Sequence, residues 1–82
     1  MVKILLYGEI GWDVSSKEIV GWLEEHKGES IELHVNSVGG DVFEAIAIRN
    51  AVKACDDVVI VVDALAASAA AIISLCGKTL KM

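Results

Sequence analysis

Hydrophobic and polar positions follow two different periods along this chain. "VKILLYG" (2–8) is a short apolar run stopped by Gly8 and reads as a strand. "IELHVN" (31–36) alternates, with Ile31, Leu33 and Val35 on one side and Glu32, His34 and Asn36 on the other, the period of a strand with one face well buried. "VVIVV" (58–62) is continuous and β-branched, the pattern of a strand covered on both faces. Between these runs the period lengthens. After the S-x-x-E capping box of Ser15 and Glu18, the residues Ile19, Trp22, Leu23 and His26 recur at helical spacing, while Lys17, Glu24 and Glu25 face away. Gly28 is the expected stop. Residues 41–54 form a second predicted helix, with Val42, Ala45, Ile46, Ile48 and Val52 apolar. Alanines from Ala66 to Leu75 predict a third, ended by Gly77, and "KTLKM" begins another strand.

The predicted order is β-α-β-α-β-α-β. Such alternation implies right-handed crossovers and an α/β fold with a mostly parallel sheet. In sheets of this kind, function gathers where strands end and helices begin. Two turns stand there, "NSVGGD" (36–41) and "DALAASA" (63–69).

Composition narrows the picture. Eighty-two residues make one small domain with a modest core. The 55% hydrophobic content is high for a small soluble monomer and predicts apolar surface buried against other copies of the chain. A net charge of −5 argues against nucleic acid, because no Lys/Arg stripe is present to neutralise phosphates, and it disfavours an anionic membrane surface. Cys55 and Cys76 are too few for a disulfide framework, and with the two histidines they lack zinc-ligand spacing, so packed, reduced thiols and no metal are expected. The apolar run from Val58 to Cys76 is long enough to raise a membrane span. Asp63 interrupts it, and its β-branched first half and alanine-rich second half fit a strand followed by a helix better. The amino terminus lacks the features of a signal peptide.

Each turn has a bland and a chemical reading. Gly39-Gly40 permits positive φ and close approach of another group to the backbone, in a tight connection or as N–H donors at a helix start. Ser68 is a small residue in a tightly packed helix, or a nucleophile. As a nucleophile it would lie in the first turn of its helix, where N–H groups still lack intrahelical partners and alanines leave room around Oγ.

Taken together, "NSVGGDVFEAIAIRNAVK" and "VVDALAASAAAIISLCGK" resemble the Clp-type serine proteases, in which an N-S-P-G-G turn and an A-A-S nucleophile turn occur in this order at similar spacing. "LYGEIGWDVSSKEIVGWLEE" is similar to the Clp-related head maturation (prohead) proteases of phages and prophages. The resemblance implies a ClpP/crotonase-like fold of repeated ββα-type layers, with residues 1–82 as a partial domain, the amino-terminal half of the protease domain. It implies Ser68 as catalytic nucleophile, with the backbone N–H groups of Gly40 and Ala69 as the oxyanion hole and Gly39 shaping the turn. "VFE" (42–44) would lie near the substrate groove. It implies peptide or protein substrates, a ring-forming homo-oligomer, an unfoldase or phage capsid proteins as partners, no cofactor, and a cytoplasmic location in a bacterial or phage-infected cell.

The chain departs from that family in three places. Val38 replaces the usual proline, which donates nothing to the site. Ala64 replaces a usual glycine, at a cost of about 1 kcal/mol or more if positive φ is needed there. The family's general-base histidine and its acid follow the serine, whereas the histidines here are His26 and His34, both before it. His26 sits at a helix end and His34 aligns with a non-catalytic position, so a truncated, inactive chain is the expectation. Two alternatives stand beside a serine endopeptidase. One is a non-enzymatic, self-associating module. The other is acyl-CoA chemistry of the crotonase class, which needs no serine nucleophile.

Overall fold

The computed structural model describes residues 1–74 and 79–81. Its elements are β1 (Val2–Tyr7), α1 (Ser16–Glu25), β2 (Ser30–Ser37), α2 (Val42–Ala54), β3 (Asp57–Ala66), α3 (Ala69–Ser74) and β4 (Thr79–Lys81). The four strands form one sheet in the order β1-β2-β3-β4, and every pairing is parallel. Parallel neighbours in sequential order need crossovers of one hand, and same-handed crossovers put every connecting helix on the same side. α2 accordingly packs between α1 and α3 in a single layer.

The core lies between that layer and the sheet. Ile4 and Leu6, Ile31, Leu33 and Val35, and Val58 and Ile60 point into it from the strands. Ile19 and Leu23, Ala45, Ile48 and Val52, and Ala70 and Ile73 meet them from the helices. Cys55 is buried in the same cluster, with Sγ 3.3 Å from the Ala51 carbonyl, and burial pushes its thiol pKa up. Cys76 and Gly77 lie outside the described residues.

Local chemistry explains the helix starts. Ser15 caps α1, its Oγ accepting the Glu18 N–H at 3.2 Å. Asp41 caps α2, its carboxylate accepting the N–H groups of Phe43 and Glu44. Each cap satisfies donors that a helix start otherwise leaves open. Glu44 also accepts from the Ser16 hydroxyl at 2.8 Å, which ties the two helix starts together. α1 ends at Glu25 with His26 as its cap, two residues ahead of Gly28.

Three sequence expectations change. "VVIVV" is covered on one face only: Val58 and Ile60 are buried, whereas Val59 and Val61 are half-buried, because all helices lie on the other side of the sheet. Trp22 leaves the helix core and is 44% exposed; Ile19 and Leu23 alone hold the buried stripe of α1. Ala66 belongs to β3, which continues past an irregularity to pair Ser37 with Ala66, so the third helix starts at Ala69. Among the described residues no helix is long and apolar enough to cross a membrane.

Candidate active site

The inward parity of β2 ends on a polar residue. Ile31, Leu33 and Val35 are followed at the same parity by Ser37, which is 2% exposed. Its hydroxyl donates to the Gly8 carbonyl at 2.5 Å and accepts the Gly39 N–H at 3.1 Å. Its carbonyl accepts the Ala67 N–H at 3.1 Å. One buried serine therefore joins the turn after β1, the turn after β2 and the turn after β3. Sequence reasoning passed over it; the available signal was a hydroxyl at a buried strand position, where it needs partners.

The glycine turn is held from the other side by Ile10. The Ile10 N–H donates to the Gly39 carbonyl at 2.8 Å, and the Asp41 N–H donates to the Ile10 carbonyl at 2.9 Å. This is a parallel bridge between Ile10 and Gly40. In that pattern the neighbours of Gly40 face Ile10, so the N–H of Gly40 points the opposite way. No acceptor among the described residues takes it. Gly39 and Gly40 have φ of 107° and 140°, and an ideal Cβ on Gly40 would stand 2.2 Å from the Ile10 carbonyl oxygen. Only glycine fits there.

Ser68 lies one residue beyond Ala67 and is exposed. Its φ is 49°, the one positive value at a non-glycine residue among those described. The expected position inside the first helical turn is corrected: Ser68 is the turn residue just before α3, and Ala69 is the first helical residue. Its carbonyl accepts the Ala71 N–H at 3.0 Å. As the first residue of the helix, Ala69 has an N–H that precedes the intrahelical ladder. Ala64 keeps a negative φ within β3, so the strain anticipated there does not arise. The three predicted residues Ser68, Gly40 and Ala69 thus share one edge of the sheet, where its strands end. Val38, Val42 and Phe43 are exposed around the glycine turn, and Trp12 is 86% exposed on the adjoining loop.

Neither histidine belongs to this edge. His26 follows α1 at the opposite end of the sheet and contacts Glu29 at 2.7 Å. His34 pairs in register with Val61, three residues before Ser37 on β2, which is about 10 Å along the strand. It lies on the helix-free face between Asp63 and Glu32. Among the described residues no group of His, Cys, Asp or Glu is arranged to hold a metal ion.

The Clp protease family model matches residues 1–82, the whole chain. This chain belongs to the Clp protease family. Among solved structures it is similar to a ClpP1 mutant from Listeria monocytogenes, with 26% identity and a TM-score of 0.84 over 92% of this chain. The match covers 46% of the Listeria chain, so this Clp family member spans about half that length. No curated protein matches it. The parallel sheet with its single helical layer is the fold shared with ClpP1.

Proposed function

We propose that this chain carries the nucleophile and oxyanion-hole part of a serine endopeptidase acting on peptide or protein chains. The observation that carries the reading is the backbone of Ser68: a residue with a Cβ, held at φ 49° on an exposed strand-to-helix turn, at the same sheet edge as a Gly40 N–H that has no acceptor among the described residues. Backbone of this kind persists where surrounding structure over-determines it, and it concentrates at functional sites. In the proposed reaction Ser68 Oγ attacks the scissile carbonyl carbon as its proton passes to a general base. The carbonyl electrons move onto oxygen, which the N–H groups of Gly40 and Ala69 receive. Collapse expels the amine, which takes the proton from the base, and water then hydrolyses the acyl-serine.

The base is the missing part. With His26 and His34 both away from the strand-end edge, it comes from outside these 82 residues, and the chain alone turns over little substrate. As in the family it resembles, self-association into a ring and partnership with an unfoldase or capsid proteins belong to the proposal; the opening Tyr7-Gly8-Glu9-Ile10 favours the phage head maturation branch. A second reading, a non-catalytic self-associating module, draws on the same missing base and on the uncovered sheet face, where Leu5 and Tyr7 are exposed.

Fluorophosphonate labelling separates the two. The chain is treated alone and after co-expression with the histidine-bearing remainder of a Clp protease, and the adduct is mapped by mass spectrometry. The peptidase reading expects an adduct on Ser68 in the complemented sample and none in Ser68→Ala. A folded, complemented sample that stays unlabelled, or is labelled at another serine, leaves the module as the function.

A further inference from the structure

The helix-free face of the sheet holds a second cluster, independent of Ser68. The His34 imidazole lies between two carboxylates. Its Nδ1 is 3.0 Å from both Asp63 oxygens, and its Nε2 contacts a Glu32 oxygen. The Tyr7 hydroxyl donates to the same Asp63 carboxylate. An ionised carboxylate only accepts, so both ring nitrogens must donate, and an imidazole with two N–H groups is the cation. The side chain of His34 is 14% exposed, so solvent does little to replace either partner.

We propose that Tyr7, Asp63, His34 and Glu32 form a pH-sensitive latch that ties β1, β2 and β3 together while His34 is doubly protonated and opens when it loses one proton. Another side-chain hydrogen bond between strands on this face joins Ser30 to Asp57 where β2 and β3 begin, at 2.7 Å. Once His34 is neutral, one ring nitrogen presents a lone pair to a carboxylate oxygen, and that contact becomes repulsive. Two carboxylates then share the face with no imidazolium between them. Among the described side chains, the other charged groups of this face are Lys3 on β1, whose charge favours ionised Asp63, and Asp57 at the start of β3, which accepts from the Ser30 hydroxyl.

The direction of the titration follows from the contacts. Hydrogen bonds to Glu32 and then Asp63 raise the pKa of His34 above the ordinary 6.5. The latch therefore contributes its full stability below 6.5 and loses it as pH rises through the folded-state value. Hydrogen bonds from Tyr7 and then His34 lower the pKa of Asp63 below its ordinary 3.8, so on the acid side the latch holds until pH falls through that lower value. Closure spans the interval between the two.

Nitrogen-15 NMR of the His34 ring in the intact chain, from about pH 5 upward, tests the latch without mutation. Two protonated ring nitrogens at pH 6.5 and a midpoint above that value are expected, with the midpoint moving down in Asp63→Asn and in Glu32→Gln. Amide exchange at Leu5, His34 and Val61, corrected for intrinsic rate, should quicken above the midpoint. A neutral single tautomer at pH 6.5 would overturn the proposal, as would a midpoint unmoved by Asp63→Asn. So would unchanged exchange protection while His34 titrates, because the histidine would then be charged without latching anything.

Discussion

Two of the turns at the same edge of the sheet adopt left-handed backbone with different residues. The turn after β2 uses Gly39 and Gly40; the turn after β3 uses Ser68. At Gly40 the conformation is demanded by crowding, since the Ile10 backbone occupies the space a Cβ would need. At Ser68 the side chain is exposed and the backbone carries the strain of a Cβ that glycine would avoid. Glycine is used where the chain must be approached closely. Under the proposed function, a side chain is kept at positive φ at Ser68 because its hydroxyl is wanted at that spot. The contrast separates a position set by packing from one that stability alone would have given to glycine.

The largest effect should come from adding a methyl group at the crowded turn. Gly40→Ala drives a Cβ against backbone that has no flexible end to yield, and a loss of about 3–5 kcal/mol in urea unfolding is expected. A loss under about 0.5 kcal/mol would mean that the Ile10 bridge does not restrain the turn. Next is the serine joining the turns. Ser37→Ala leaves the buried Gly39 N–H and Gly8 carbonyl without their side-chain partner and should cost about 1–3 kcal/mol, with faster amide exchange at Gly39 and Ala67. Exchange accelerated at Gly39 but not at Ala67 would show that the two turns are independent. The smallest effect has the opposite sign. Ser68→Gly should stabilise the folded chain by about 0.5–1 kcal/mol, the relieved strain less the added flexibility of glycine. Ser68→Ala, which keeps the Cβ, should give no such gain. If both substitutions behave alike, Ser68 is not strained and the contrast between the turns fails.

Much of this arrangement was legible in the residues. The β-α-β-α-β-α-β order followed from a period of two giving way to one of 3.6, and the capping box at Ser15 marks the start of α1, whereas the capping role of Asp41 came from the structure. Gly39 and Gly40 announced positive φ by composition. Ser68 was legible as a candidate only through its neighbours, and its φ was not, because serine has no preference for the left-handed region; the conformation is imposed by β3 running on to Ala66 and by Ala67 binding Ser37. Trp22 shares the helical spacing of Ile19 and Leu23 yet is exposed, because spacing defines a face without setting how wide a stripe the sheet covers.

By itself, the sequence determined which segments are strands and helices, where the turns fall, and that one hydroxyl sits between alanines at a strand-to-helix junction. Those features depend on local propensity and on side-chain parity, which each residue carries with it. Tertiary structure alone decided that all helices lie on one side, leaving Val59 and Val61 half-covered. It also decided that Ser37 binds three turns together and that His34 meets carboxylates on its own strand and on β3. Each of these depends on strands far apart in the chain being set side by side in one register, and no local pattern encodes that register.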